Sequence, residues 1–258
     1  MSLQFPEKTE IPLANPPLAE VICQVRYPPI LRIAKEQPTK FQERIRQRFP
    51  EYGIEQPFKL SIPGAGAIGE PSAELPPRLL RFTSKDGHTT ATLAVDFFAL
   101  STTRYRHWSN FVDDLMVVSK AVEATYRPAY ASRIGLRYVN RLNRTTTGLD
   151  NIPDILGLVR PELIAVLHSE AWSDPEEWTS QLVLPDREGK LALRFVFNST
   201  EAEPYFQLDF DYFEQGQVAL SELRERVNRY HQVIYRAFRW CLSDRSLAVF
   251  GSRPIEVC

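Results

Sequence analysis

The sequence predicts an α+β fold in which a β-α-β-β-β-α unit occurs twice in tandem. The two copies are expected to share one curved antiparallel sheet, with two long helices packed on one face. Three observations lead to this prediction: strand-like runs follow one another across short turns, an amphipathic helix ends each half, and two short motifs recur at one spacing. We expect an N-terminal arm over 1–17, a first repeat over 18–130 and a second repeat over 131–258, the repeats forming a single structural domain.

The elements of the first half follow from β-forming composition and from the helical spacing of apolar residues. Its opening strand ends at Pro28 and Pro29, which cannot continue a ladder of hydrogen bonds. Asp86-Gly87 joins two alternating runs, as in a hairpin, and the last helix carries an apolar stripe from Phe111 to Tyr126. The predicted elements are strand 18–27, helix 38–49, strand 57–62, a Gly/Pro-rich loop over 63–77 whose role the sequence does not indicate, strands 78–84 and 90–101, and helix 108–126.

The second half repeats this order. Its last helix has Leu223, Val227, Tyr230, Ile234 and Phe238 on one face, so it must bury that face against the sheet. The predicted elements are strand 131–142, a helix over 151–166 that Pro161 could break, strands 178–184, 190–198 and 205–213, helix 218–242, and a short strand at 247–250 in the tail.

The repeat itself is visible in two motifs. Leu80-Arg81-Phe82 and Val95-Asp96-Phe97 fall on Leu193-Arg194-Phe195 and Leu208-Asp209-Phe210 at a common shift of 113 positions. The stripes of the two long helices match at a shift of 112, which a one-residue difference in the preceding loop explains. This duplicated order resembles the saddle of TATA-box-binding-protein-like folds. The likeness concerns the fold and implies no function.

One face of the predicted sheet collects charged side chains, because side chains alternate across a strand. Leu193 and Phe195 point toward the helices and Arg194 points away, and Asp209 lies in the same way between Leu208 and Phe210. The residues expected on the outer face are Arg26, Arg81, Arg133, Arg137, Arg141, Arg194, Asp96, Asp209 and Asp211.

Two interpretations of this charged face remain open. Cross-strand ion pairs, such as Arg81 with Asp96 and Arg194 with Asp209, would make it a solvated surface, each pair contributing under about 1 kcal/mol. Alternatively, arginine forks suit phosphates and carboxylates, so the same face could bind a phosphate-bearing ligand, RNA or a protein partner. We take Arg81, Arg137, Arg141, Arg194, Asp96, Asp209 and Asp211 as the candidate binding residues.

The sequence also contains fragments of catalytic motifs. Gly64-Ala65-Gly66-Ala67-Ile68-Gly69 is a G-x-G-x-x-G, but Glu70-Pro71 and Pro76-Pro77 follow where a phosphate-binding helix should begin. Arg226 and His231 form an R-x4-H, which resembles the motif of all-helical HEPN-type ribonucleases. At 100° per residue their side chains lie apart around the helix. They are candidate catalytic residues of an enzyme alternative only.

Metal and cofactor sites are not expected. The four histidines and the cysteines Cys23, Cys241 and Cys258 lack the spacing of zinc ligands or of a disulfide framework. Asp209 and Asp211 could bind a divalent ion, but neighbouring carboxylates on a strand are more often structural. The segment Arg104-Tyr105-Arg106-His107-Trp108 could stack on bases, or could serve as a helix entry.

Composition restricts the class of protein. A formal net charge of −1, with 43% hydrophobic and 24% charged residues, indicates an ordinary globular chain without a large basic surface for nucleic acid. We expect no signal peptide in the polar, proline-containing start, and no apolar run has the length of a membrane span. An odd number of cysteines without framework spacing predicts reduced thiols and a cytoplasmic location.

Four stretches support a family resemblance: Pro17-Leu18-Ala19-Glu20-Val21, the strand 133–141, Leu208-Asp209-Phe210-Asp211, and the helix segment 231–238. In these the chain resembles a family of uncharacterised proteins found sporadically across bacteria and archaea. The resemblance implies no activity and no catalytic residues. It implies a setting in mobile gene cassettes, including antiviral defence or toxin–antitoxin neighbourhoods.

We therefore expect a cytoplasmic, non-enzymatic binding or adaptor protein with no cofactor and no membrane contact. Its partner would be a protein or RNA, and a homo-oligomer is compatible with the sequence. An RNA-binding or RNA-cleaving protein and a small-ligand carrier are the alternatives.

Overall fold

The strands of this chain form one antiparallel sheet. The computed structural model describes residues 3–11, 13–55 and 78–251, and within them nine strands lie in the order β2-β3-β4-β5-β1-β6-β9-β8-β7. The fold is therefore α+β, as predicted. The strands are β1 (Leu18–Arg26), β2 (Glu51–Glu55), β3 (Leu79–Thr83), β4 (Thr89–Leu93), β5 (Phe97–Thr102), β6 (Ala131–Leu142), β7 (Glu177–Pro185), β8 (Lys190–Asn198) and β9 (Tyr205–Val218).

Two long helices and several short ones accompany the sheet. The long helices are α3 (Trp108–Tyr126) and α7 (Leu223–Cys241). None of the helices in the described part of the chain has the length and hydropathy needed to cross a membrane. The short helices are α1 (Leu31–Lys35), α2 (Thr39–Ile45), α4 (Arg144–Thr147), α5 (Ile152–Leu156), α6 (Pro161–Ile164) and α8 (Ser246–Val249), with 3₁₀ turns at Ala165–His168 and Leu220–Glu222.

The chain divides into two compact units. Unit 1 comprises the described residues within Met1–Val21, Gly135–Glu214 and Glu225–Cys258, and unit 2 comprises those within Ile22–Ile134 and Gln215–Arg224.

The core of unit 2 lies where α2 and α3 pack together and α3 packs on β5. Phe111, Leu115 and Val118 are buried on α3, as their helical spacing predicts. On α2, the ring of Phe41 meets the edge of Phe82 from β3 at 5.2 Å between centroids. Apolar periodicity in the sequence was therefore sufficient to locate this core.

Unit 1 is built from two hairpins, β7–β8 and β8–β9, and from α7. Alternate residues of β8 are buried, among them Phe195, and the apolar residues Leu208 and Phe210 are buried on one face of β9, as strand alternation predicts. The ring of Phe210 contacts Phe238 of α7 at 6.2 Å, edge to face, and Tyr212 contacts Tyr230 at 4.6 Å. The apolar stripe of α7 thus packs on the inner face of β9.

Several predicted elements differ in the structure. The run 90–101 is two strands, because the chain turns at residues 94–96, and the tail predicted as a strand at 247–250 is the helix α8. Pro161 begins α6 and so interrupts the helix predicted over 151–166. The strand β2 was not predicted. The predicted strand 57–62, the loop 63–77 with its G-x-G-x-x-G, and Cys258 lie outside the described residues.

The residue correspondence at a shift of 113 is wrong for the charged strands. Arg81 lies on β3, the third strand before the long helix of its half, whereas Arg194 lies on β8, the second strand before α7. Asp209 is within β9, but Asp96 is in the turn between β4 and β5, where its carbonyl oxygen accepts a hydrogen bond from the amide of Tyr27 at 2.9 Å. Similar tripeptides therefore occupy different positions in the two halves.

Candidate functional site

A buried carboxylate lies at the centre of the charged face of unit 1. Asp209 on β9 is 3% exposed. Arg137 on β6 donates to both of its oxygens, from Nε to Oδ1 at 2.8 Å and from Nη2 to Oδ2 at 2.6 Å. Arg194 on β8 brings Nη1 to 3.6 Å from the same Oδ2. One carboxylate therefore orients two guanidinium groups on the strands that flank it.

The local sequence explains this arrangement. Strand β9 lies between β6 and β8 in the sheet, and Arg194 is directly opposite Asp209 in the β8–β9 register. Since Leu208 and Phe210 are buried, alternation sends Asp209 to the other face. The predicted ion pair between Arg194 and Asp209 is confirmed. The hydrogen bond to Asp209 also raises the pKa of Arg137 above its usual range, against the opposing effect of burial.

Further polar side chains extend this surface. Arg194 also donates to Gln181 Oε1 of β7, from Nη2 at 3.2 Å. Arg141 Nη2 lies 3.4 Å from Gln207 Oε1, and its Cζ is 4.3 Å from the ring centroid of Tyr205. The buried Nε of Arg141 has no hydrogen-bond partner among the described residues. We call this set the Asp209 cluster; its members are Arg137, Arg141, Gln181, Arg194, Tyr205, Gln207 and Asp209.

Other predicted binding residues lie elsewhere. Arg81 is in unit 2, where its Nη1 is 2.6 Å from Glu55 Oε2. The predicted ion pair of Arg81 with Asp96 is therefore wrong, because Asp96 is in a turn and β2, which supplies Glu55, pairs with β3. Asp211 lies two residues along β9 from Asp209, opposite Ala192 in the register. Within the described residues no group of three or more His, Cys, Asp or Glu side chains could hold a metal ion.

The structure does not bring Arg226 and His231 together. Arg226 contacts the carboxylate of Glu214, whereas the Nδ1 of His231 is 2.8 Å from the hydroxyl of Tyr138. The Nε2 of His231 is 3.3 Å from Glu10 Oε2 in the N-terminal arm. His231 is buried, so these contacts tie the helix α7 to β6 and to the arm.

Sequence reasoning missed a second charged group, on the inner face of β9. Glu214 is buried and contacts Arg226 and Arg229 of α7. Side chains alternate along a strand, so Glu214 lies on the same face of β9 as Phe210 and Tyr212. This is the face that packs against α7. A charged residue at an inward position signals a buried partner, and this signal was available in the sequence.

A small cavity of about 270 Å³ lies beside this group. Asp186, one of its lining residues, accepts from the Tyr212 hydroxyl at 2.9 Å and from the amide of Leu3 at 3.3 Å. Burial favours the neutral form of Asp186, but these bonds and one from the amide of Arg187 outweigh it, so the pKa of Asp186 lies below its ordinary value. The other lining residues are Phe5, Glu188, Arg229, Val233 and Arg236.

The N-terminal arm lies along α7. Tyr235 accepts from the amide of Ile11 at 2.9 Å and donates to the carbonyl of Thr9 at 3.1 Å. Arg236 and Glu7 form an ion pair at 3.3 Å. These contacts hold an extended segment without any strand pairing over residues 3–11.

No protein-family model matches the chain, and a search of curated protein sequences finds no match. The side chains of the Asp209 cluster are therefore the basis on which a function can be proposed.

Proposed function

We propose that this chain is a non-enzymatic binding protein whose Asp209 cluster holds an acidic segment of a protein partner. The observation that carries the proposal is the double hydrogen bond from Arg137 to the buried Asp209, with Arg194 beside it. This bond keeps Arg137 in one orientation before any ligand arrives. Binding to such a preorganised surface loses less side-chain entropy than binding to mobile arginines.

Arg141 and Arg194 are the groups that would contact the partner. Their polar contacts within the chain are longer than those of Arg137, at 3.4 Å from Arg141 to Gln207, and at 3.2 Å and 3.6 Å from Arg194 to Gln181 and Asp209. Each guanidinium can therefore turn toward a ligand carboxylate with little loss of internal bonding. Arg137, with its two short bonds to Asp209, is the anchor of the site.

A carboxylate ligand fits this surface better than a nucleic-acid backbone. Asp209 and Asp211 lie among the arginines and the chain has a net charge of −1, so a run of phosphates would meet repulsion. Isolated carboxylates can instead pair with single guanidinium groups. A labelled oligoribonucleotide, used beside an acidic peptide, distinguishes RNA binding from peptide binding.

Such a binding role would suit a defence or toxin–antitoxin type gene cassette, which is the setting that the resemblance to sporadically distributed proteins implies. A cytoplasmic location is supported by Cys23 and Cys241, which are buried and not joined in a disulfide.

We also propose that the two halves descend from one duplicated unit. The order of the strands supports this, since β5 lies beside β1 and β9 lies beside β6, each next to the first strand of its half. A TATA-box-binding-protein-like arrangement of the two copies remains a prediction.

The test is fluorescence anisotropy with two labelled probes, a Glu/Ser peptide and a U-rich oligoribonucleotide. We expect the peptide to bind, and Arg141→Ala or Arg194→Ala to weaken its binding about tenfold. Arg81→Ala is the matched control, because Arg81 is 44% exposed against 45% for Arg194 and lies outside the cluster. The proposal would be overturned if the protein bound the oligoribonucleotide but not the peptide. It would also be overturned if all three variants lost the same peptide affinity.

Incubation of labelled RNA with the wild-type protein, with and without a divalent metal, tests the enzyme alternative. We expect no cleavage. Cleavage that His231→Ala abolishes would replace the binding proposal by an RNA-cleaving function.

A further inference from the structure

Strand β7 is at one end of the sheet. Among the described strands it pairs with β8 along all nine of its residues, and no strand lies on its other side. The backbone groups of an edge strand can template pairing with another chain unless charge, proline or a covering segment prevents it. Leu182 and Val183, near the middle of β7, are both exposed.

The two ends of the sheet differ in how they are protected. The other edge strand, β2, has the sequence EYGIE, so antiparallel pairing with a second β2 centred on Gly53 would set Glu51 against Glu55. Like charges in opposite positions destabilise a strand pair. In β7, EWTSQLVLP, Glu177 is the single charged residue, and pairing centred on Gln181 sets it against Pro185.

We infer that β7 pairs with β7 of a second copy of this chain, antiparallel, about a two-fold axis at Gln181. This register pairs all nine residues of the strand and brings no like charges together. Trp178 is then opposite Leu184 of the second copy, and Thr179 is opposite its Val183. Aromatic–aliphatic and β-branched pairs of this kind stabilise neighbouring strands.

An apolar surface beside the edge fits the same occupant. Val166 and Trp172 are exposed, and with Leu167, Pro175 and Trp178 they line a cavity of about 260 Å³. Trp178 belongs both to this cavity and to β7. Leu184 of the second copy, opposite Trp178, would cover part of this apolar surface, which a monomer leaves in water.

The pairing would also double the charged face. Gln181 on the proposed axis accepts from Arg194, a member of the Asp209 cluster. Adjacent strands lie about 4.8 Å apart, so the β8 strands of the two copies would be about 14 Å apart. The proposed dimer does not depend on the ligand. It is inferred from the unpaired edge of β7, from the lack of opposed like charges along that edge, and from the apolar surface beside it.

Light scattering coupled to size exclusion measures the assembly. We expect the purified chain to have twice its mass of 29.7 kDa, and Leu182→Lys to reduce it to that single mass. Ile54→Lys is the matched control, because Ile54 on the other edge strand and Leu182 are each 49% exposed. This variant should keep the doubled mass. A wild-type mass of one chain, or an equal effect of the two lysines, would overturn the inference.

Disulfide formation tests the register, in a Cys258→Ser background. Gln181→Cys would face its own copy across the axis and should give a covalent dimer on mild oxidation. Glu177→Cys would lie four residues from the axis, about 27 Å from its counterpart, and should stay monomeric on a denaturing gel. Cross-linking at 177 and not at 181 would contradict the two-fold pairing. Neither result depends on peptide binding, so failure of the proposed function would leave this test intact.

Discussion

Arg137 donates two hydrogen bonds to Asp209, at 2.8 Å to Oδ1 and 2.6 Å to Oδ2, and the carboxylate is almost fully removed from solvent. A buried carboxylate is stable only while its partners remain, because desolvation would otherwise favour its neutral form. This pair therefore has a structural role in joining β6 to β9, in addition to orienting the proposed binding surface.

Asp209→Asn should lower the free energy of unfolding by about 2 kcal/mol, since it removes a charge-assisted pair and leaves Arg137 with a neutral amide. Urea denaturation followed by circular dichroism measures the change. Glu55→Gln is the control, because Glu55 forms an exposed ion pair with Arg81 and should cost under about 1 kcal/mol. If both variants lose the same free energy of unfolding, the buried ion pair of Asp209 contributes no more to stability than an exposed pair.

Tyr138→Phe removes the hydroxyl that lies 2.8 Å from the Nδ1 of His231. We expect a loss of about 1 kcal/mol, because the histidine nitrogen is buried and loses this partner. Thermal or urea unfolding provides the measurement. Tyr52→Phe, at an exposed ring on β2, should change stability by less than about 0.5 kcal/mol. An unchanged free energy of unfolding in Tyr138→Phe would argue against a structural role for His231.

Stability should depend on the ionisation of Asp186. Because its pKa is lower in the folded protein, the carboxylate contributes stability above the unfolded-state pKa of about 3.9. That contribution decreases as the pH falls through the folded-state pKa. The Asp186→Asn variant should therefore have a lower free energy of unfolding than the wild type at pH 7. The difference between the two free energies should become smaller at acidic pH.

Urea unfolding at a series of pH values measures this difference. Asp150→Asn, which affects an exposed ion pair with Arg144, is the control and should show little difference at any pH. If the free energies of unfolding of the wild type and the Asp186→Asn variant differ by the same amount from neutral to acidic pH, the lowered pKa of Asp186 is contradicted.

Gly189, in the turn between β7 and β8, is required by close packing. A Cβ there would lie 2.5 Å from the carbonyl oxygen of Phe213 and 2.9 Å from Cε1 of Tyr212. Gly189→Ala should cost about 1–3 kcal/mol because the backbone of β9 would have to move. A Cβ at Gly53 would have no atom within 4 Å, so Gly53→Ala should be tolerated. Differential scanning calorimetry compares the two, and similar midpoints would contradict the prediction.

The sequence predicted elements well where one local pattern was sufficient. The helix over 108–126 and the strands over 131–142 and 190–198 have the predicted bounds, because apolar residues repeat along each with one period. Local pattern failed at Val95-Asp96-Phe97, which alternates like a strand but turns where the carbonyl of Asp96 bonds the amide of Tyr27. It failed again at Leu247-Ala248-Val249, an apolar run that was predicted as a strand and lies in α8.

For the candidate site, the sequence correctly predicted that Arg194 and Asp209 lie on the face opposite the buried apolar residues of β8 and β9, but not every ion pair on that face. Arg194 and Asp209 are on consecutive strands, so their pairing followed from hairpin geometry. The bond from Arg137 to Asp209 joins residues 72 positions apart, and it required knowing that β6 lies beside β9. Arg81, with the same local motif as Arg194, has Glu55 as its partner because β2 lies beside β3.

By itself the sequence determined the α+β class, the positions of the two long helices and the buried faces of those helices and of β8 and β9. These are consequences of local periodicity, because one turn of helix or one pleat of strand fixes the direction of each side chain. Only the tertiary structure decided the neighbours of each strand, the position of Asp96 in a turn of unit 2, the pairing of Arg81 with Glu55, and the edge position of β7. Those features depend on which distant segments pair, and several pairings bury the same apolar faces.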